Sequence, residues 1–64
     1  MKAKYIVMFV IDGATKQIEF SKEQKAEAVA AYKNIRMRAG IDRIRLFSID
    51  SEDDEIWYDL SNKY

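Results

Sequence analysis

The stretch AKYIVMFVIDGATKQIEF, residues 3–20, decides the fold. Seven consecutive apolar residues, 5–11, lead into Asp12-Gly13, and a segment that alternates polar and apolar residues follows. A short apolar run bounded by turn residues is typical of a strand, and glycine suits a tight turn because it reaches positive φ at little cost. The pattern predicts a β-hairpin with strands at residues 3–12 and 15–20.

The loop of this hairpin sets its register. A two-residue type II′ turn at Gly13-Ala14 and a four-residue loop over residues 12–15 are both compatible with the sequence. Both loops give the same cross-strand pairs, Phe9 with Ile18 and Val7 with Phe20. These four side chains are expected to face a helix.

The first strand is apolar on its other side as well. Because side chains alternate along a strand, the face turned away from the helix receives Ile6, Met8 and Val10, across from Gln17 and Glu19. A strand that is apolar on both faces is expected to lie inside the sheet.

The segment after the hairpin predicts one amphipathic helix. Ser21 is a favourable N-cap, and Gln24 three residues later completes a capping box. Gly40 is suited to end the helix after Ala39 in a left-handed conformation, with Ile41 folding back toward Ile35. Apolar residues at helical spacing predict a buried stripe of Ala28, Val29, Tyr32, Ile35 and Ala39, bordered by Ala31.

Two more strands are predicted at residues 43–49 and 55–60, on either side of an acidic run. The preferred alternation turns Ile44, Leu46, Ile56, Tyr58 and Leu60 inward. It turns Arg43, Arg45, Phe47, Ile49, Trp57 and Asp59 outward. A slip of one residue would reverse both sets.

The chain is therefore expected to form a single small globular domain, residues 1–64, of the α+β class. The predicted order is ββαββ, a four-stranded and mainly antiparallel sheet with one helix packed on one face. A chain of this size buries only about 60% of the surface that it exposes when unfolded. It has no cysteine and no histidine, so neither disulfides nor a Cys/His zinc site reinforce the core. Self-association is favoured on this ground.

Charge is unevenly distributed along the chain. Residues 1–46 carry ten Lys and Arg against five acids, whereas residues 47–64 carry one Lys against six acids, so a formal net charge of zero hides a difference of sign. Such asymmetry marks a partner surface or a pair of halves that neutralise each other. The longest apolar run is far shorter than a membrane span, which predicts a soluble, cytoplasmic protein with no membrane partner.

One helix covers only one face of a four-stranded sheet, so the other face is predicted to be the contact surface. Its expected members are Ile6, Met8, Val10, Arg43, Arg45, Phe47, Ile49 and Trp57. Exposed apolar patches of this kind usually mark interaction sites, and Trp and Arg are frequent anchors in them. The first expectation is a homodimer, the second an unidentified protein partner that this surface masks or modulates.

The acidic run, Asp50, Glu52, Asp53, Asp54 and Glu55, is interpreted as a solvated turn. It lacks the ligand spacing and the glycine of a calcium loop, so no metal site and no cofactor are predicted. Alternatively, its carboxylates could enter a basic groove of a partner as a nucleic-acid mimic. Compact ββαββ chains are common among phage and mobile-element accessory proteins, including inhibitors, but that analogy concerns the fold alone.

Two other classes stay open. Lys33, Arg36, Arg38, Arg43 and Arg45 could gather into a basic patch. With Phe47 and Trp57 as stacking rings, Arg43 and Arg45 would suit RNA or single-stranded DNA. An orphan or designed domain without a partner is the third class. Catalysis is not predicted, because no nucleophile has an evident base and no carboxylate pair is desolvated.

Overall fold

The structure is a computed structural model, and it describes residues 4–50 and 56–64. Its elements are β1 (Lys4–Ile11), β2 (Ala14–Ser21), α1 (Lys25–Arg36), β3 (Ile41–Asp50) and β4 (Ile56–Asp59), with 3₁₀ turns at Lys22–Gln24 and Ser61–Lys63. The strands form one antiparallel sheet in the order β2-β1-β3-β4. The predicted ββαββ fold of the α+β class is confirmed. Among the described residues, no helix is long and apolar enough to cross a membrane.

The first hairpin turns at Asp12-Gly13, and the predicted loop at Gly13-Ala14 is wrong. Ile11 and Ala14 are the last paired residues, so two residues lie in the turn. Asp12 has φ of 51° and Gly13 has φ of 78°. Positive φ at both central positions defines a type I′ turn, for which Asp-Gly is a preferred sequence because its twist matches that of the flanking strands.

This turn moves the register by two residues from the predicted one. Val7 pairs with Ile18 and Phe9 pairs with Lys16, so the predicted pairs Phe9–Ile18 and Val7–Phe20 do not form. A shift of two leaves each side chain on its expected face, since the side-chain period of a strand is two. Accordingly, Val7, Phe9 and Phe20 still pack on the helix side.

The start of the helical segment is as predicted. The capping box between Ser21 and Gln24 is present. The backbone N–H of Ser21 donates to Gln24 Oε1 at 3.0 Å, which satisfies a group that would otherwise lack a partner at the helix start. One 3₁₀ turn follows, and α1 begins at Lys25.

The end of the helix differs from the prediction. Regular α-helix stops at Arg36, three residues before Ala39, and Arg38 N–H donates to Ile35 O at 3.0 Å in a tightened final turn. The helix ends early because β3 already starts at Ile41, which pairs with Ile11. Residues 37–40 are therefore needed to reverse the direction of the chain between α1 and β3. Gly40, with φ of 87°, lies in that connection and does not directly cap the helix.

The core lies between α1 and the centre of the sheet. Its fully or almost fully buried members are Val7, Ala28, Tyr32, Ile35 and Leu46. Val29 and Ala31 are partly buried against them, whereas Ala39, predicted to be buried, is exposed beyond the helix end.

The helix does not cover β4. It packs on β1, β2 and β3, so it reaches the edge of the sheet formed by β2 and leaves the opposite edge, β4, uncovered. Ile56 and Tyr58, predicted to be buried, are on the helix side but remain 49% and 52% exposed. The predicted face of each β4 side chain is correct. The expectation that α1 would also cover β4 is wrong.

Candidate interaction surface on the helix-free face

The helix-free face consists of the side chains that the sheet turns away from α1. The strand pairings place the following residues on it: Thr15, Gln17 and Glu19 of β2; Lys4, Ile6, Met8 and Val10 of β1; Arg43, Arg45, Phe47 and Ile49 of β3; and Trp57 and Asp59 of β4. All eight residues predicted to form the contact surface lie there. An apolar column along β1 runs between charged neighbours.

Two members of this face are less available than expected. Ile6 and Ile49 are only 2% and 1% exposed, so the prediction that the sheet displays them is wrong. Ile6 lies between Glu19 and Phe47 in neighbouring strands, and Ile49 lies opposite Trp57. Side chains opposite each other on adjacent strands stand within contact distance. These two isoleucines are thus buried within the face, and its exposed members make the outer surface.

Trp57 is the most prominent of these outer residues. Its ring meets that of Phe47 edge-to-face, with centroids 5.3 Å apart and planes at 73°. This arrangement is favourable for aromatic pairs. Trp57 nevertheless remains 42% exposed, whereas Phe47 is partly buried. The surface therefore has a large apolar group fixed in place at its β4 side.

Charged residues flank the apolar column. Lys4 Nζ and Glu19 Oε1 are 3.3 Å apart, and Arg45 Nε lies 3.9 Å from Asp59 Oδ2. Both pairs are solvent-exposed and contribute little to stability, on the order of 0–1 kcal/mol. Arg43 forms no ion pair with any residue in the described ranges. The charges on this face are thus available to a partner.

A groove opens at the hairpin end of the face. Met8 and Val10 form its floor, and Thr15, Arg43 and Arg45 line it. The arginines stand on one side, since Arg43 is opposite Val10 and Arg45 is opposite Met8. Asp42 also lines the groove, so the groove presents charges of both signs beside apolar groups.

The predicted basic patch is divided by the fold. Arg43 and Arg45 lie on the helix-free face, whereas Arg36 belongs to the helix on the opposite side. Arg36 lies over the Tyr32 ring at 5.2 Å, and its Nη1 donates to the main-chain oxygen of Tyr64 at 2.7 Å. Its role is therefore to hold the end of the chain against the helix.

A polar cluster that the sequence did not predict centres on Ser61. This residue is 8% exposed. Its Oγ accepts from Leu46 N–H at 3.0 Å, and its main-chain oxygen accepts from the Tyr32 hydroxyl at 3.3 Å. The adjacent Leu60 N–H donates to Leu46 O at 2.8 Å. The cluster fixes where β4 leaves the sheet. A serine after an apolar strand carries no sequence signal for such a role.

Asp59 links this cluster to the helix-free face. Its Oδ1 accepts from Ser61 N–H at 2.8 Å. Hydrogen bonds from the Ser61 hydroxyl and backbone lower the pKa of Asp59 below its ordinary value, and the charge of Arg45 adds to this effect. The carboxylate form is therefore favoured at the position where β4 ends.

The acidic run is mostly outside the described residues. Glu52, Asp53, Asp54 and Glu55 belong to residues 51–55, which the structure does not describe. Asp50 is the last residue of β3 and pairs with Ile56, so the strand extends one residue beyond its predicted end.

Comparison with known proteins adds no relative. No family model, curated protein or solved structure matches this chain. The functional proposals therefore depend on the geometry of the sheet and its charges.

Proposed function

We propose that this chain is a non-enzymatic protein-interaction module that forms a homodimer through its helix-free face. The observation that carries this proposal is Trp57, a large apolar side chain held in place by Phe47 yet 42% exposed. Tryptophan is over-represented among residues that dominate interface energies, especially where neighbours exclude water from its edges. The partly buried Met8 and Val10 extend this apolar surface along β1.

The strand order suits a second copy. A two-fold axis that runs parallel to the strands, between β1 and β3, places β1 of one copy over β3 of the other and β4 over β2, so Trp57 lies inside the contact. Met8 and Val10 of each copy then face Arg45 and Arg43 of the other, whose apolar stems can cover them. A face that meets itself in this way is what a two-fold interface requires.

The expected role of this surface is to mask or modulate a partner protein. Residues 47–64 carry six acids and one lysine. A strongly one-signed hairpin attracts a basic partner and raises the rate of encounter. An accessory or inhibitor protein of this kind acts by occupying a surface, so no reacting group is required.

Mutation of Trp57 tests the interface. In sedimentation equilibrium at fixed concentration, the wild type should give the mass of a dimer. The Trp57→Glu variant should have a dimer dissociation constant at least tenfold higher, because the substitution places a charge in a desolvated contact. Tyr58→Glu is the matched control: it lies on the opposite side of the same strand and is similarly exposed, at 52%. A monomeric wild type, or equal shifts for both variants, would rule out the helix-free face.

A second candidate function, binding of single-stranded nucleic acid, is favoured by the groove beside Arg43 and Arg45. The ring pair argues against it, since an edge-to-face contact does not offer two parallel stacking surfaces. Two acids on the same face, Glu19 on β2 and Asp59 beside Arg45, also repel phosphate.

Salt dependence distinguishes this candidate. If it is correct, binding of a fluorescent 20-nucleotide single strand should weaken steeply as the salt concentration rises. Arg43→Ala or Arg45→Ala should then reduce the slope of the logarithm of the binding constant against the logarithm of the salt concentration, by about 0.7 for each phosphate that the arginine no longer neutralises. Lys16→Ala removes the same charge from the helix side, opposite Phe9, and should leave the slope unchanged. Fluorescence anisotropy that stays flat at low salt would eliminate nucleic-acid binding.

A further inference from the structure

The outer edge of β4 is apolar and uncovered. No strand among the described residues lies beyond β4 in the sheet. Ile56, Trp57 and Tyr58 are 49%, 42% and 52% exposed, so both faces of this edge present apolar groups. Natural sheets usually protect such edges with lysine, proline or a bulge, because an open edge pairs with other chains. The whole stretch from Asp50 to Leu60 contains no lysine or proline.

The opposite edge of the sheet is different. Strand β2 carries Lys16, Gln17 and Glu19 along its length. Charged side chains of this type discourage pairing with another chain. Strand β2 therefore carries charges of both signs, whereas β4 carries the Asp59 carboxylate beside three large apolar side chains.

The hydrogen-bond pattern identifies which backbone groups of β4 are open. Leu60 N–H donates to Leu46 O at 2.8 Å, and these two residues continue the β3–β4 register. Hydrogen-bonded pairs alternate in an antiparallel ladder, so Tyr58 and Ile56 also direct their N–H and C=O groups toward β3. The N–H and C=O groups of Trp57 and Asp59 consequently point away from the sheet, to the open edge.

From this edge we infer that β4 accepts an extended segment of another protein as a fifth strand, in which apolar and basic residues alternate. Apolar side chains of the added strand would lie beside Ile56 and Tyr58 on the helix side. Its basic side chains would lie on the helix-free face, beside the Trp57 ring and the Asp59 carboxylate. Main-chain hydrogen bonds provide the affinity in this mode and alternate side chains provide the specificity.

Charge excludes a second copy of β4 from this position. Residues 47–64 carry six acids against one lysine, so two copies of β4 would be brought together with the same sign of charge. Like charges on paired strands are destabilising. A basic strand reverses the sign of this interaction. The main-chain groups of the edge site point sideways from the sheet and are not used by the helix-free-face dimer, although the Trp57 side chain belongs to both sites.

An alternating peptide tests the inference. The probe is an acetylated and amidated seven-residue peptide of alternating valine and arginine, and the control replaces arginine by glutamate. The valine–arginine peptide should bind at least tenfold more tightly, as followed by the fluorescence of Trp57. At saturation, amide hydrogen exchange should slow at Trp57 and Asp59, with little change at Ile56 and Tyr58, whose amides already face β3. Unchanged exchange at Trp57 and Asp59 would overturn the inference.

Two variants separate the edge from the indole ring. Trp57→Ala and Trp57→Pro both remove the ring, but only proline removes the outward N–H and blocks the edge. Proline is tolerated on an edge strand where its nitrogen faces solvent, so the β3–β4 ladder should survive. Binding measured by calorimetry should weaken at least fivefold more in Trp57→Pro than in Trp57→Ala.

A peptide N-methylated on its edge-facing amides provides the same test on the wild-type chain, and it should not bind. Equal binding by the two variants, or full binding by the methylated peptide, would refute strand addition. Because peptide binding and dimer mass are measured separately, a monomeric wild type would reject the dimer and leave the edge site untouched.

Discussion

Replacing Leu46 by alanine should leave the chain largely unfolded at 25 °C. Leu46 is 0% exposed and lies where β3 meets α1, in contact with the core of Val7, Tyr32 and Ile35. Leucine-to-alanine changes in cores cost about 2–5 kcal/mol, because the cost of the cavity is added to the transfer free energy of the deleted atoms. A domain of this size seldom has more than about 3–5 kcal/mol of stability. One substitution is therefore sufficient to exhaust it.

Urea unfolding followed by circular dichroism measures this effect. Wild type and variant should be compared at one protomer concentration, since dimerisation adds stability that depends on concentration. Met37→Ala is the matched control, because Met37 is 84% exposed and its truncation should change the unfolding free energy by less than about 0.5 kcal/mol. A Leu46→Ala variant within about 1 kcal/mol of wild type would show that the core does not depend on this residue.

The sequence predicted the order of elements and the face of each strand residue because both depend on local patterns. The Asp12-Gly13 pair and the period of two were enough to assign Val7 to the helix side and Met8 to the other. The type I′ turn was also available from the sequence, since Asp-Gly is a preferred pair for it, whereas the predicted type II′ turn relied on Gly13 alone. The register error of two residues still left each side chain on its predicted face, because side chains alternate along a strand with a period of two.

Coverage could not be predicted, since it depends on distances between elements. The helix reaches three strands and leaves Ile56 exposed, although its alternation is that of an inward residue. Conversely, Ile49 is buried although it lies on the face turned away from α1, opposite Trp57. The exposed part of the candidate surface therefore lies toward Trp57 and not, as predicted, at the centre of the sheet. Periodicity states which side a residue faces, and packing decides whether solvent reaches it.

Ser61 shows most clearly what local patterns omit, because two of its partners, Leu46 and Tyr32, come from distant elements of the chain. Replacing it by alanine should cost about 1–3 kcal/mol, since the buried Leu46 N–H would lose the acceptor that Ser61 Oγ provides at 3.0 Å. The main-chain oxygen of Ser61 cannot easily replace this acceptor, because it already accepts from the Tyr32 hydroxyl.

Three measurements separate this role from simple packing. Urea unfolding of Ser61→Ala should show the destabilisation, whereas Asn62→Ala, an exposed neighbour in the same 3₁₀ turn, should stay within about 0.5 kcal/mol of wild type. Amide exchange at Leu46 should accelerate in Ser61→Ala more than exchange elsewhere in β3. The pKa of Asp59, measured by NMR titration, should rise toward its ordinary value because the Ser61 hydroxyl is the main cause of its lowering.

The sign of the pH effect follows from the same hydrogen bonds. A carboxyl group whose pKa is lower in the folded state than in the unfolded state stabilises the fold above its unfolded pKa of about 3.9, and this stabilisation disappears as the pH falls through the folded value. Ser61→Ala should therefore lose less stability than wild type between neutral pH and acid. If the variant and the wild type keep the same acid dependence and the same Leu46 exchange rate, then Ser61 only fills space, and the end of β4 is fixed by Leu60 and Leu46 alone.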